Sequence, residues 1–518
     1  MNDYYEIPSR YLIGFRIFLL LVGVLIVVLM KYVLAWSQLP YLSISLVFLA
    51  VILGLFKLKY SLWFFIFLIP LLSSIPSLLD IPVFYPIEIV FLTVLLLWAA
   101  KSVFRKNIKL VRTCLDIPLV VFLLIVFTSC LLTLVKINHL FSSLLAGNLK
   151  ETLQKISVFD LSTNMANLST LRYTVTIFEG VLCYFLLTNN LQSKDSMVKA
   201  VAIILASSAI VVGYGIFQYF TRFHLLPYWV RANPNLTRIN STLQCPNSLG
   251  SYLVLTIFLA GFFLWVQTGW KRLLLGLLSG GLGLCLIFSA SRSAWFSFLL
   301  VSVAVLVAGL SGRVVTSLKK EPPGKHRRII IITLLIFLSI FLISTLSLSI
   351  KSNLRVGKEQ SYYQVLLSTL NPSNSLNSIL KGRIGLWKAA LKMVKEKPIL
   401  GQGIGFYYWG VSVYYGYPRQ SNAHSYYLQV WAELGTLGLA VFAWVLVIIL
   451  RSGIKLLLQV KERYWKFLIL GLTSGILAFL LTCLADHPLV LLEMQFIFWS
   501  FAGILLAIFK AKVWGEIR

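Results

Sequence analysis

Residues 430–450, VWAELGTLGLAVFAWVLVIIL, carry no charge after Glu433, and this stretch decides the fold class. A helix rises 1.5 Å per residue, so about 20 apolar residues cross the hydrocarbon core of a bilayer. Basic residues follow the stretch at Arg451, Lys455 and Lys461. Because Lys and Arg accumulate in cytoplasmic loops, the stretch predicts a transmembrane helix that ends at the cytoplasmic face.

The composition extends this interpretation to the whole chain. Of 518 residues, 59% are hydrophobic and 12% are charged. A soluble domain carries about 25% charged residues. The net charge of +29 stands in short clusters between apolar runs, which is typical of membrane-protein loops rather than of a nucleic-acid-binding surface. We predict an all-α polytopic membrane protein, a single transmembrane domain over residues 1–518, with membrane lipids and no nucleic acid among its partners.

Apolar runs long enough to span a bilayer recur along the chain, and they predict about 14 transmembrane helices. The first run is a membrane helix rather than a cleaved signal, because no small-residue cleavage site follows it. The approximate positions are 11–35, 41–56, 61–79, 86–100, 115–135, 171–188, 198–220, 247–266, 272–290, 293–310, 329–350, 430–450, 466–484 and 489–509.

The basic clusters all fall on one face of the membrane if these spans alternate in direction. The short loops on the other face, at 36–40, 73–85 and 485–488, contain no Lys or Arg. The positive-inside rule therefore places both termini in the cytoplasm. The basic clusters lie at 57–59, 101–112, 271–272, 313–328 and 451–466.

Three longer segments then face outward, at about 136–170, 221–246 and 351–429. The last is a large periplasmic loop within the single domain. Inside it, residues 383–396 have the spacing of an amphipathic helix that lies on the membrane surface or covers a cavity. Its predicted apolar face consists of Ile384, Trp387, Ala390, Leu391 and Val394.

The chain has no signature of a bound metal or soluble cofactor. Its six cysteines are scattered, and none stands in a CxxC pair. A Walker loop, a GxGxxG segment after a strand and an HExxH helix are all missing. The sequence therefore predicts no metal site and no cofactor.

Polar residues suited to chemistry concentrate in four outward segments, 238–247, 289–293, 382–405 and 422–435. Three arginines stand at their membrane borders, Arg238, Arg292 and Arg383. Guanidinium stays charged and binds phosphate oxygens bidentately, so together they predict an anion site. Arg292 lies between two apolar spans, where a charge either marks a ligand path or snorkels to the lipid headgroups.

His424 is the histidine with the richest polar surroundings, and histidine suits acid–base catalysis near neutral pH. Glu433 falls on nearly the opposite face of any helix through both residues, so we expect it to fix a helix end or an arginine. Glu179 lies inside a predicted span with Arg172 seven residues before it, which predicts a structural ion pair between them.

These motifs give the chain a recognisable resemblance. RINSTLQCPN at 238–247, SASR at 289–292, GRIGLW at 382–387 with PILGQGIG at 398–405, and NAHSYYLQVWAELG at 422–435 stand in a characteristic order. In these segments the chain resembles the O-antigen ligase and O-antigen polymerase superfamily, membrane glycosyltransferases that use lipid-linked glycans. One departure is that Asn240, Ser241 and Thr242 replace a stretch that usually contains glycine.

The resemblance implies transfer of a glycan from undecaprenyl pyrophosphate to an acceptor hydroxyl, on the periplasmic side of the inner (plasma) membrane. The acceptor is a glycan, a lipid or a protein. Arg238 and Arg292 would hold the pyrophosphate, Arg383 the phosphate or first sugar, and His424 would be the general base. Substrate-binding roles are expected of Arg238, Arg383, Trp387, Asn422 and Tyr427, and catalytic roles of His424 and Arg292.

Two alternatives stay open from the sequence alone. A polymerase of the same superfamily would use a second lipid-linked repeat unit as its acceptor, and the motifs barely separate it from a ligase. A transporter would show broken spans, ionisable residues at mid-membrane and internal repeats, and the chain shows few of these.

Overall fold

The computed structural model describes the greater part of the chain, with gaps. Described are residues 4–6, 40–73, 86–104, 109–137, 165–221, 238–310, 383–417 and 420–513, with isolated positions between 13 and 24. The predicted span 329–350, most of 11–35 and the loop residues 351–382 lie outside the described residues.

The described residues form a bundle of α-helices, as predicted. The first half contains α1 (Pro40–Phe56), α2 (Leu58–Leu68), α3 (Pro86–Val103), α4 (Asp116–Ile137), α5 (Met165–Asn190), α6 (Lys194–Thr221) and α7 (Pro246–Phe263). The second half contains α8 (Gly269–Phe288), α9 (Arg292–Leu310), α10 (Ile384–Glu396), α11 (Phe406–Val413), α12 (Tyr426–Gln459), α13 (Arg463–Thr482) and α14 (Leu492–Val513).

Nine of the described helices are long and apolar enough to cross a membrane, and α1, α2 and α9 are shorter apolar helices. The span predicted at 61–79 is only partly helical, because α2 ends at Leu68 and turns occupy 69–73, beginning just before Pro70. Proline lacks the amide donor that a continuing helix needs. A small antiparallel ribbon joins β1 (Tyr4–Glu6) to β2 (Lys109–Val111).

The centre of the bundle is formed by α7, α13 and α14, whose side chains are almost all buried. Helices α7 and α13 run side by side at close range, because Gly475 of α13 faces the Leu255 backbone of α7. Small residues let membrane helices approach in this way. Outer helices such as α4 and α8 expose leucine-rich faces instead, which suits contact with lipid tails.

The two ends of the bundle keep separate sets of contacts. At one end, here named the motif end, Ser73 contacts Thr242, and the backbone of Tyr426 donates to carbonyls in the 483–486 turn. At the other, named the basic end, Lys101 donates to the Gly54 carbonyl. The described contacts thus group the loops as the alternation of spans predicts.

The direct ion-pair partner of Arg172 is not the predicted Glu179, although Arg172 still acts electrostatically on Glu179. Arg172 of α5 pairs with Glu88 of α3, with both carboxylate oxygens 2.9 Å from its Nη1, rather than with Glu179. The seven-residue spacing placed Arg172 and Glu179 on one face of α5, but the neighbouring helix supplies a nearer acid.

Candidate functional site

The first arginine joins two of the motif segments. Arg238 donates from Nε to the Ser289 carbonyl at 2.8 Å and from Nη2 to Asn247 Oδ1 at 2.7 Å. Ser289 caps the C-terminus of α8, and Arg292 begins α9 three residues later. Arg238 and Arg292 therefore flank one tight turn at the motif end.

The segment around Arg238 is held from beneath by one side chain of α6. Gln218 accepts from the backbone amides of Asn240 and Ser241 and donates to Asn240 Oδ1. Ser241 also donates to the Val211 carbonyl at 2.6 Å. This buried network fixes the backbone of the loop and therefore the position of the Arg238 Cα atom.

Left-handed backbone marks the predicted motifs. Among the described residues, the three non-glycine residues with positive φ are Ser241 at 49°, Ala290 at 47° and His424 at 49°. Each lies in a different motif segment. Such strain persists only where the surroundings impose it, and it concentrates at functional sites. The φ of Ser241 is one that glycine would adopt without steric cost.

The amphipathic helix is present as α10, but its packed face is rotated from the predicted one. Ile384 and Leu391 are exposed, at 38% and 42%, while Ala390 and Val394 are buried as predicted. The helix carries two overlapping apolar stripes, and the stripe of smaller side chains packs inward. That inner stripe is completed by Leu386, Ala389 and Met393, which contact α11 and α12.

The glycine-rich segment 398–405 docks against a break in α12. Gly435 interrupts that helix with φ 69° and ψ −173°. The amides of Gln402 and Gly403 donate to the Ala432 and Glu433 carbonyls, both at 2.9 Å. A Cβ on Gly435 would lie 2.1 Å from the Ile399 carbonyl oxygen, so the two backbones touch. The glycines therefore serve close backbone packing.

Glu433 fixes a helix end, as predicted. Its Oε1 accepts from the Tyr407 amide at 3.1 Å, in the first turn of α11. Gln429 Nε2 approaches the same oxygen at 3.5 Å. A carboxylate at a helix N-terminus satisfies unpaired amides and complements the helix dipole.

His424 meets two residues that the sequence reasoning did not select. His424 Nδ1 lies 3.7 Å from Asp486 Oδ1, and His487 Nδ1 lies 3.3 Å from the same oxygen. The two imidazole rings stand edge to face at 4.6 Å. The Tyr426 amide, which donates to the Cys483 and Asp486 carbonyls, holds the two loops together.

Burial and charge set the protonation of this cluster. Burial lowers the pKa of His424 below its ordinary value, and the neighbouring His487 lowers it further, while Asp486 opposes the shift. Burial alone would raise the pKa of Asp486, but the two imidazoles hold it well below its usual range. At neutral pH the cluster therefore holds a carboxylate beside a neutral His424.

The third arginine, Arg383, lies in the electrostatic range of this cluster and of the second arginine, Arg292. The charge of Arg383 acts on both His424 and Arg292. Arg383 is the N-terminal cap residue of α10, and both arginines are half-buried. The motif end thus brings together Arg238, Arg292, Arg383 and His424, from four separate segments of chain.

The remaining predicted site residues have varied surroundings. Trp387 is half-buried, and its indole nitrogen has no hydrogen-bond partner among the described residues. Asn422 Oδ1 accepts from the Tyr173 hydroxyl at 2.5 Å and from Gln429 at 3.1 Å. The Tyr427 hydroxyl donates to the Leu480 carbonyl at 2.9 Å. Their binding roles stay predictions.

A large apolar groove lies beside the motif end rather than at the histidine cluster. It has a volume of about 700 Å³ and runs between α4 and the 397–403 segment. Three of its lining leucines, Leu124, Leu132 and Leu437, are exposed on the outer surface of the bundle. The groove is therefore open sideways, on the outer surface of the bundle.

Three of the four motif segments lie in one continuous part of the chain. Residues 277–443 match the family model of the O-antigen ligases. The match confirms the resemblance to the O-antigen ligase and polymerase superfamily and supports a membrane glycosyltransferase of that type. A comparison with curated proteins found no match. Segment 238–247, Asp486 and His487 lie outside the matched O-antigen ligase region.

Proposed function

We propose that the protein transfers a glycan from undecaprenyl pyrophosphate to an acceptor hydroxyl at the periplasmic face of the inner membrane. The observation that carries the proposal is the pairing of His424 with Asp486, within the electrostatic range of Arg383, at the end of the bundle where Arg238 and Arg292 flank a turn. A base and several fixed cations in one place suit a reaction that deprotonates an alcohol and releases a diphosphate.

In the transfer step, the acceptor oxygen bonds to the anomeric carbon as the bond from that carbon to the pyrophosphate oxygen breaks. The hydroxyl proton passes to His424, and the negative charge of the leaving group develops beside the arginines. His424 Nδ1 faces Asp486, so Nε2 is the nitrogen that takes the proton. Asp486 is a positioning residue that holds the imidazole, and His487 takes no part in this step.

Arginines supply the charge that a metal supplies in other transferases. A guanidinium offers several donors in one plane, and it keeps its charge at any physiological pH. Fixed charges that need no rearrangement stabilise a developing anion more effectively than water does. We therefore expect transfer without an added metal or cofactor.

The apolar groove between α4 and the 397–403 segment supports a polyprenyl-linked donor. A long hydrocarbon chain entering from the bilayer would remain in apolar surroundings while its headgroup reached the motif end. The groove adjoins Gly401, which packs against the break in α12. In transporters, the backbone carbonyls at a helix break bind the transported ion. Here the amides of residues 402 and 403 already donate to the carbonyls at the break in α12, so the break does not favour a transporter.

Reconstitution tests the proposal. The purified full chain in liposomes, given an undecaprenyl-pyrophosphate glycan and an acceptor, should form a glycosylated product. His424→Ala should lose transfer by about 10²- to 10⁴-fold while still binding the donor, because only the base is removed. Product analysis separates a ligase from a polymerase: a polymerase extends a second lipid-linked unit. Full transfer by the variant would remove the catalytic assignment of His424.

A further inference from the structure

Two buried nitrogens of the histidine cluster neither give nor take a proton in the transfer step. His424 Nδ1 and His487 Nδ1 are both buried, and neither has a hydrogen-bond partner among the described residues. Leaving a buried polar atom without a partner costs about 1–3 kcal/mol. Both atoms converge on Asp486 Oδ1, so a single ligand placed between them would satisfy all three groups.

The separations fit a metal ion. Bonds from zinc to histidine nitrogen and carboxylate oxygen measure about 2.0–2.2 Å, which puts neighbouring ligand atoms of a tetrahedral site about 3.3–3.6 Å apart. The measured separations from Asp486 Oδ1 are 3.3 Å to His487 and 3.7 Å to His424. One ligand atom from each of the three residues lies within 4.8 Å of the others. Small side-chain rotations would close the triangle.

The donor set selects the class of ion. Two imidazoles with one carboxylate suit zinc and cobalt, whereas magnesium prefers oxygen ligands. Asp486 supplies one negative charge, and the nearby Arg383 opposes a cation. Three protein ligands leave a fourth position open to water, as in zinc sites that are not fully enclosed by protein ligands.

We propose that His424, Asp486 and His487 form a binding site for a zinc-class divalent ion, and that its occupancy stops transfer. The inhibitory part rests on the proposed function. A neutral imidazole bound to a metal through Nδ1 carries its hydrogen on Nε2. Nε2 then has no lone pair and cannot take the proton of the substrate hydroxyl. His424 can therefore bind the metal or act as the base, but it cannot do both.

Binding is measured first, apart from activity. The full chain, purified through a tag that contains no histidine, is titrated with Co²⁺, and the visible absorption of four-coordinate cobalt is recorded. We expect a band at about one Co²⁺ per chain that Zn²⁺ abolishes and Mg²⁺ leaves unchanged. His487→Gln should weaken the affinity by at least the roughly 10- to 100-fold that losing an outer-shell partner costs. His326→Gln, in the predicted basic loop, is the matched control.

Inhibition is measured second. Zn²⁺ should suppress transfer by the unmodified chain and by His326→Gln at the concentrations that displace cobalt. His487→Gln should transfer without added metal and should resist Zn²⁺. If His487→Gln does not fold, X-ray absorption of the zinc-loaded unmodified chain tests the site instead. The proposal requires that the spectrum show two imidazole ligands. Absence of a cobalt band overturns the site, stimulation by Zn²⁺ overturns the inhibition, and failure of transfer in every sample leaves the binding result standing.

Discussion

The surroundings of single side chains at the motif end fix their charge and their position, and both can be tested by measurement. His424 is held neutral by burial, and its backbone is held at positive φ by the loop around it. Arg238 is fixed by two hydrogen bonds to neighbouring segments. Such anchoring indicates residues that must be correctly placed before a substrate arrives.

The pH dependence of transfer follows from the setting of His424. A base acts in its neutral form, and the pKa of His424 is lowered, so kcat/KM should be flat above pH 6.5 and fall only at more acidic pH. Asp486 raises that pKa, so Asp486→Asn should move the acid limb to still lower pH and reduce the plateau rate. Steady-state rates from pH 4.5 to 8.5 measure both effects. An acid limb that Asp486→Asn leaves in place would contradict the pairing.

Arg292 is expected to bind the donor through the shape of its guanidinium as well as its charge. Arg292→Lys keeps the charge but loses the bidentate fork, so kcat/KM for the lipid-linked donor should fall by about 10- to 100-fold. The control is Arg272→Lys at the basic end, where the guanidinium lies over Trp265. If both variants transfer equally well, Arg292 only reaches for the lipid headgroups.

At the scale of elements, the contact that organises the motif end is the packing of segment 398–405 against the break in α12. Four backbone hydrogen bonds join the two, and Thr436 adds a side-chain bond to the Pro398 carbonyl. The contact holds α10 and α11 against the helix that begins two residues after His424. The distance between Arg383 and the base is therefore set by backbone packing.

Gly435→Ala tests this docking. The added Cβ would lie 2.1 Å from the Ile399 carbonyl oxygen, so we expect the free energy of unfolding to fall by more than about 3 kcal/mol. Gly416→Ala is the control: Gly416 also has positive φ, at 68°, but nothing lies within 4 Å, so the cost should be about 1 kcal/mol. Thermal unfolding in detergent, followed by tryptophan fluorescence, compares them. Equal losses would refute the docking.

The sequence predicts these elements better than it predicts their partners. Hydrophobic run length locates the described membrane helices, because a bilayer imposes a fixed thickness. The partner of Arg172 was missed because Glu88 comes from another helix, 84 positions away. The face of α10 was misjudged because two apolar stripes overlap on it. Asp486 was missed because only the packing of α12 beside α13 brings its loop to His424.

At the scale of the whole molecule, the proposed function depends on the difference between the two ends of the bundle. The motif end carries the proposed chemistry, and the basic end carries most of the lysines and arginines of the predicted cytoplasmic loops. A lipid-linked donor presents its headgroup at one face of the membrane. The sidedness of the bundle therefore decides which compartment supplies the acceptor.

Labelling of single cysteines measures that sidedness. Exposed Cys114 and partly exposed Cys245 are first replaced by serine, and then Tyr414→Cys is introduced at the motif end or Lys461→Cys at the basic end. A membrane-impermeant maleimide should label position 414 in intact spheroplasts and position 461 only after permeabilisation. The reverse pattern would place the base in the cytoplasm and end the proposed function.

The short ribbon between β1 and β2 limits how the start of the chain is threaded. Its backbone pairs Tyr4 with Val111 and Glu6 with Lys109, so both strands stand at one face of the membrane. A chain that leaves that face after residue 6 and returns to it by residue 109 crosses the bilayer an even number of times. The four spans predicted between these residues satisfy this parity, whereas three or five spans would not.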